Sequence, residues 1–467
     1  MHARPRSFHD ARRWVRRIGT AVALAVVAGS AHAATVRVVT QASVAWPHDT
    51  SIQAAVDAAA PGDWVLIDAG TYHEAVRVTT RRIHIRGIDR NAVVIDGQHR
   101  VGNGIEVWKA DDVSIENLTV RDFDRPSRNG RAGNEIWWNG GDGSGQIGLH
   151  GWRGRYLTAY ATGLNAGYGI FISNAVSGGL DRVYASGFND SGLYLGACRD
   201  CRARIAHALV ENNALGYSGT NSGGHVLIEQ SIFQHNSNGI GPNSLNNDDQ
   251  PPPQDGACSA GRNRSPLPTF PTTHISRCTI FRNNVVREND NFSAPANSTT
   301  ASTPWGNGFI LVGTYADLIE DNLVQGNPST GLLGFENPDP FPPTPDTVFF
   351  QLAGNMIRRN RFLQNGTPAD APYSADVTLA GGLLGQQLSV NDCLADNVLV
   401  STYPADLATG WSCRLRTTPN PGAGALGYIL QLRAASLART SVPQPAPGPQ
   451  PTMPDPCAGV PANPLCV

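Results

Sequence analysis

Two hexapeptides, Ala208-Leu-Val-Glu-Asn-Asn213 and Ser231-Ile-Phe-Gln-His-Asn236, lie 23 residues apart and align apolar on apolar and asparagine on asparagine. A period of that length restricts the chain to architectures made by stacking one unit on the next. The same template (small or polar, two apolar, two variable, then Asn or Asp) recurs at Asn117–Asp122, Thr279–Asn284, Asn322–Asn327 and Asn360–Asn365, and in degraded form at Ala185–Asp190. A second element, Gly-apolar-x-apolar, follows it at Gly104–Val107, Gly169–Ile172, Gly192–Leu195 and Gly308–Leu311, and Gly192 and Gly331 again fall 23 residues after Gly169 and Gly308. Short apolar alternations between tight polar turns cannot close a core one repeat at a time, but stacked in register they can. A leucine-rich repeat has a similar period and needs a leucine consensus that is absent here. The predicted fold is therefore all-β, a right-handed parallel β-helix with three short strands per coil. Its turn amides should form a ladder, Asp190 over Asn213 over Asn236.

Both ends of such a solenoid need covering. Behind Thr50 or Ser51 as N-cap, Ile52, Ala55, Val56 and Ala59 share one helical face, which predicts a capping helix at the N-terminal opening. Residues 426–440 are expected to cap the other end, and the Pro-rich run 441–467, with its small cysteine loop, to lie outside the core. The domain plan is thus a leader (1–33), a lead-in (34–49), the β-helix (50–425), the cap and the tail. The leader carries Arg4, Arg6, Arg12, Arg13, Arg16 and Arg17 before the apolar stretch Ile18–Ala28 and an A-x-A site ending at Ala33. That is the pattern of a cleavable export signal, by the general or the twin-arginine route, and the apolar run is too short to span a bilayer.

Export interprets the eight cysteines, an even number suited to an oxidising compartment. They fall in neighbouring couples: Cys198 with Cys201, Cys258 with Cys278, Cys393 with Cys413, and Cys457 with Cys466. Local pairing into four disulfides is the simplest expectation, although spacing alone leaves connectivity open. The net charge of −2 points away from nucleic acid, no further segment is apolar enough to span a membrane, and a monomer is expected.

In Gly-apolar-x-apolar the apolar pair should point inward and the middle residue outward. Steps of 23 then place Phe171, Tyr194 and Tyr217 in an outer aromatic stripe, with Glu106 in an earlier coil. Insertions at 126–146, 241–273, 285–305 and 336–347 flank this strand and would wall a groove over it. Trp137 and Trp138 fall on the first insertion, where exposed aromatics meet sugars.

The opening signature Ser51-Ile-Gln-Ala-Ala-Val56, Pro61-Gly-Asp63 and Gly70-Thr-Tyr72 with Glu74, together with the segments 133–143, 217–225 and 243–249, resembles the secreted bacterial branch of the pectin-lyase-like superfamily over residues 50–400. The resemblance implies the β-helix and a polysaccharide partner, since this fold carries lyases, hydrolases and epimerases as well as plain binding proteins. Candidate catalytic residues are Asp248, Asp249, His225, His150 and Glu106. Asn247-Asp248-Asp249 is similar to the paired aspartates of polygalacturonases, while the companion motifs of those enzymes, of pectate lyases and of the epimerases are missing. A Ca²⁺ ion is the cofactor such enzymes would use, with Asp142 of Gly141-Asp-Gly143 as the candidate ligand. The rival expectation is a non-catalytic glycan-binding protein.

Overall fold

The structure, a computed structural model, describes residues 33–100, 102–124, 133–245, 256, 258, 267–339, 348–380, 391–410, 413 and 425–466. The leader proposed for 1–33 lies outside them except for Ala33. Among the described residues most coils donate two short strands to a 20-stranded sheet, merged into one long strand at Val113–Arg121 and Leu149–Tyr160, and one strand to an 11-stranded sheet. The ladders between coils are parallel, as in Leu193↔Tyr217↔Ile240 and Ile205↔Ile228↔Phe281. Among the described strands only the hairpin Asn337–Asp339/Val348–Phe350 pairs antiparallel. The chain is a right-handed parallel β-helix, as its repeat predicts.

Inward rows are continuous and buried. In the 11-stranded sheet one row runs Ile105, Ile136, Ile170, Leu193, Tyr217, Ile240, Phe309 and Leu332, and none of these is measurably exposed. Burial of that order stabilises by roughly 1.5–3 kcal/mol per large side chain before entropy is counted.

The asparagine template makes two ladders five residues apart. Along one, Asn213 donates to Asn236 (2.9 Å), Asn236 to Asn289 (3.1 Å), Asn289 to Asn327 (2.9 Å) and Asn327 to Asn365 (2.9 Å). Along the other, Asn284, Asn322, Asn360 and Asn397 follow at 2.9–3.1 Å. Each rung follows a left-handed bend residue, such as Asn212 (φ +60°), His235 (φ +51°) or Asn283 (φ +53°). The amide bonds offset the strain of those bends, which is of order 1 kcal/mol each. Two sequence expectations need correction. Asn213 receives the Phe188 amide rather than stacking on Asp190, and Thr279–Asn284 ends on the first ladder position of its coil, not the second.

These ladders explain the glycine that follows them. A Cβ on Gly192 would sit 2.7 Å from the Asn213 side-chain nitrogen, and one on Gly308 would sit 2.8 Å from that of Asn327. The two sequence elements are therefore one device: the amide fills the space that the glycine vacates.

The N-terminal helix (Ile52–Ala58) forms as expected, burying Ile52, Ala55 and Val56 against the first coils. Ser51 accepts from the Ala54 amide, and Glu74 binds the Ile52 and Gln53 amides at 2.8 and 3.0 Å, placing a carboxylate on the positive end of the helix dipole. The other end differs from expectation. The helix Leu426–Ala438 lies on the outer face of the 11-stranded sheet, packing Ile429 with Ile310, Leu333 and Phe335. Tyr428 and Ser436 bond the Ser329 and Thr303 carbonyls (3.1 and 2.7 Å).

The Pro-rich tail then runs back along the solenoid instead of leaving it. Val442 bonds Ser293, Gln450 bonds Asn91, Met453 bonds Asn117, and Arg86 reaches the Pro456 and Ala458 carbonyls. Arg90, buried without a carboxylate partner among the described residues, holds the Pro451 carbonyl at 3.0 Å, and desolvation lowers its pKa to about 10. Proline suits such a strap because its extended backbone is preformed and leaves carbonyls free to accept.

All four neighbouring cysteine couples are disulfides: Cys198–Cys201, Cys258–Cys278, Cys393–Cys413 and Cys457–Cys466. Cys198 and Cys201 are fully buried in the main core, so this couple staples a turn from within. Cys258–Cys278 tethers the insertion after Asn243, and Cys393–Cys413 ties the strand Cys393–Ala395 to the chain beyond the short helix Leu407–Gly410.

Candidate functional site

The outer face of the 11-stranded sheet carries three registered rows. The central row runs Arg77, Glu106, Trp137, Phe171, Tyr194 and Ser218, and continues through Ile310 and Leu333. On one side stand Asn134, Tyr168, Ser191 and Leu215; on the other, Trp108, Asn139, Ser173 and Gly196. Beyond Leu215 the face is apolar and lies under the C-terminal helix. Before it the face is aromatic and polar, and forms the candidate site.

Trp137 stacks on Phe171 at 4.9 Å, Tyr168 stacks on Phe171 at 4.3 Å, and Tyr194 meets Phe171 edge-on at 4.7 Å. Trp137 and Tyr194 are nearly buried in this stack (8% and 7% exposed), which leaves Phe171 and Tyr168 as its partly open members. Polar groups border them: Trp137 donates to the Ser173 hydroxyl (3.0 Å) and Asn139 donates to Glu106 (2.9 Å). One wall is the insertion at 285–305. It doubles back so that Asn297 binds the Leu164 carbonyl (3.2 Å) and Ser298 binds that of Asn189 (2.7 Å).

The structure sets Glu106, Trp137, Phe171 and Tyr194 in one outward row. It corrects two other aromatic assignments. Tyr217 pairs with Leu193 and is fully buried, because the coil from Gly192 to Gly216 is one residue longer than its neighbours and shifts the outward position to Ser218. One residue of slip moves a side chain to the opposite face. Trp137 and Trp138 belong to the strand Gly133–Asn139 rather than to a loop, and alternation turns Trp138 into the core, where Gly154 of the facing sheet leaves room for it.

The histidines are elsewhere. His150 lies on a strand of the large sheet, exposed beside Asp111, and His225 binds Asp200 (2.9 Å) and packs near Phe270. Neither faces the aromatic floor. Asp248 and Asp249 lie outside the described residues. Asp142 is paired with Lys109, whose ammonium holds the carboxyl well below the usual carboxylate range. A carboxylate already neutralised by a lysine is a poor calcium ligand, and the described residues hold no cluster of three or more acid, His or Cys groups fit for a metal.

Sequence reading missed the acid nearest the stack. Asp190 precedes the floor strand Ser191–Gly196 and is almost fully buried, with hydroxyl partners on Tyr168, Ser191, Ser298 and Thr300. Burial raises its pKa despite these bonds, which favours the protonated carboxyl. Its signal was present as the last residue of the degraded hexapeptide, where it looks like a ladder rung. Glu135, also buried, accepts the Phe123 amide on both oxygens (3.2 and 3.3 Å), and desolvation, then Asp122, push its pKa up. The Glu106 position lies three coils from the Asp190 strand, roughly 14 Å at about 4.8 Å per coil. That exceeds the roughly 5–10 Å between the two carboxyls of a glycosidase.

No protein-family model and no curated protein matches the chain. Among solved structures it is similar to the A-module of the Azotobacter vinelandii mannuronan C-5 epimerase AlgE4 (14% identity, 75% of this chain and 91% of that one, TM-score 0.45). It is also similar to a pectin methylesterase in complex with a hexasaccharide (13%, 73% and 92%, TM-score 0.37). A third is the alginate lyase from Paenibacillus sp. str. FPU-7 (12%, 68% and 92%, TM-score 0.31).

Proposed function

We propose that the protein works outside the cell and holds an extended polysaccharide along the open half of the 11-stranded sheet. The observation that carries this reading is the registered stack of Trp137, Phe171, Tyr168 and Tyr194, left partly open and bordered by hydroxyl and amide groups. Apolar ring faces beside fixed hydrogen-bonding groups match the two surfaces of a sugar ring, and an open row across several coils suits a chain better than a small metabolite. Four disulfides fit the oxidising compartment that the export signal implies.

A second reading, turnover of the glycan by hydrolysis, elimination or epimerisation, is favoured by Asp190. A carboxyl whose pKa burial raises, hydrogen-bonded to a tyrosine beside the floor, is a candidate for proton transfer. One experiment separates the two. Purified protein is incubated with pectins, alginates and related glycans, with and without Ca²⁺, while binding, reducing ends, unsaturated products and uronate epimer ratio are followed. Binding without turnover, weakened by Phe171→Ala and indifferent to Asp190→Asn, supports the holding protein. Turnover abolished by Asp190→Asn or Tyr168→Phe supports the enzyme, and turnover abolished only by Asp248→Asn or Asp249→Asn moves the chemistry to the 241–273 insertion. No binding to any glycan in the panel would sink both.

A further inference from the structure

The large sheet has its own concavity, on a different face from the aromatic floor. It is a cleft of about 920 Å³ that includes Trp64, His84, Arg153, Arg155 and Arg204 in its lining, with Ala458 and Gly459 of the C-terminal loop on its rim. One outward row of this sheet runs Trp64, His84, Ser114, Arg153, Gly179, Arg204. Gly179 therefore separates two arginine positions that stand two coils apart, roughly 10 Å at the spacing of parallel strands, with no side chain between them. The neighbouring row sets Arg86, Glu116, Arg155 and Asp181 side by side.

Of the three acids that line the cleft, Glu116 and Asp181 are already committed, and Asp112 is exposed at its edge. Glu116 is gripped by Arg86 at 2.9 and 2.5 Å, and Asp181 by Arg182 and by His207 (2.6 Å). The cations are not all used. Arg155 comes no closer than 3.9 Å to the same Glu116, Arg153 has no hydrogen-bond or ion-pair partner among the described residues, and Arg204 gives its Nε to Glu229 (2.7 Å) with its two terminal nitrogens unpaired among the described residues. Arg86 spends its remaining donor on the Pro456 and Ala458 carbonyls (3.0 and 2.8 Å), so the loop closed by Cys457–Cys466 is fixed as one wall.

We propose that this cleft is a second saccharide site, selective for an acidic chain, in which Arg153, Arg155 and Arg204 bind carboxylates on successive sugars. Guanidinium forks match carboxylates bidentately, and an unpaired arginine in a recess gains more from such a partner than one in open water. The separation of the arginines calls for a ligand with several charges along its length, which a single small anion cannot supply. A neutral glycan would leave the surplus charge unanswered. The inference stands apart from the floor site: either can fail without the other.

The test is titration calorimetry of the full chain with a tetra-uronate, a matched neutral tetrasaccharide and sodium sulfate. The tetra-uronate is expected to bind, more weakly as salt rises, and to lose about tenfold or more in affinity at this site with Arg153→Gln and further with Arg204→Ala added. Phe171→Ala, in the other face, should leave this affinity unchanged. Arg153 is exposed and unpaired, so Arg153→Gln is expected to fold, and its melting transition checks that. The proposal is overturned if the arginine variants bind the tetra-uronate as the parent does, if the neutral tetrasaccharide binds equally, or if sulfate matches the tetra-uronate in affinity.

Discussion

The two halves of the 11-stranded sheet share one register and present opposite outer surfaces. In the first half the central row reads Glu106, Trp137, Phe171, Tyr194; in the second it reads Ile310, Leu333, Thr378. The second half is covered by the chain itself, through Ile429 and its neighbours on the C-terminal helix. The same contrast shows one position before the floor strands. Asp190 occupies it in the open half, where Ser298 and Thr300 reach it, while Ser237 and Ser329 occupy it in later coils and meet Arg439 and Tyr428 of the C-terminal segment. A β-helix face is thus either an internal interface or a free surface, and what decides between them is the outward residue set, not the backbone. An apolar row recruits the chain's own helix, whereas an aromatic row edged with amides and hydroxyls stays available.

The largest expected effect tests that difference directly. Leu333→Ala in the covered half should cost about 2–4 kcal/mol in denaturant unfolding, the loss of a fully buried leucine plus its cavity. Tyr217→Ala should cost at least as much, because it empties the core and not the floor. If Leu333→Ala unfolds like the parent, the helix is not docked on that row and the two halves do not differ.

That pair also shows how far the sequence could be read. The 23-residue period and the Gly-apolar-x-apolar element were enough for the fold, because ladder amides and glycines are imposed by local geometry that repeats in every coil. The couples Cys198–Cys201 and Cys393–Cys413 were legible for a similar reason, since a short separation keeps the two thiols near one another whatever the rest of the coil does. Register was harder to read. A single extra residue between Gly192 and Gly216 is invisible to a fixed period, yet it exchanges Tyr217 for Ser218 on the outer face. Trp137 and Trp138 read as a loop because Glu135 stands at the register position where the neighbouring strands carry Gly104 and Gly169. The helix and the tail were misplaced for a different reason: what an amphipathic segment covers depends on distant rows, and periodicity carries no information about them. Asp190 was legible as a polar turn residue but not as a buried acid, since its burial comes from an insertion more than a hundred residues later.

A smaller effect should distinguish the corners of the two halves by pH. Burial raises the Asp190 pKa above its unfolded value of 3.8, so the folded state holds a proton that the unfolded chain releases as pH rises. Stability from this group is therefore present below pH 3.8. It is lost as pH rises through the folded pKa, beyond which the penalty is constant. Asp190→Asn should remove that slope, gaining on the parent with rising pH and then levelling off, as read from unfolding midpoints between about pH 3 and pH 8. An unchanged slope would mean that Asp190 is ionised and solvated, and the contrast with Ser237 and Ser329 would lose its meaning.

The tail extends self-covering to the first coils, and its anchor should matter less than the helix. Arg90→Ala removes a guanidinium that bonds Pro451, Thr158 and Leu157, at an expected cost of about 1–2 kcal/mol. Limited proteolysis should then cut within 441–456, which the parent protects. Equal protection in both would show that the strap is held by its other contacts alone.

The smallest stability effect is expected at the centre of the open half, and it is the most informative about function. Phe171 shares its row with Leu333 but is only partly buried, so Phe171→Ala should cost under about 1 kcal/mol, near the worth of one aromatic pair beyond area burial. Glycan affinity should nevertheless fall about tenfold, because Phe171 holds Trp137, Tyr168 and Tyr194 in one stack and its loss would disorder the partly open apolar surface that a sugar would meet. Leu333→Ala should do the reverse, with a large loss of stability and little loss of affinity in the folded fraction. Measured together by denaturant titration and glycan binding, the two substitutions form a crossed pair. If both properties move in parallel in both variants, the open half is only an unfinished copy of the covered one and the floor is structural. If they cross, a row of the same backbone has been given over to a ligand by changing its side chains alone.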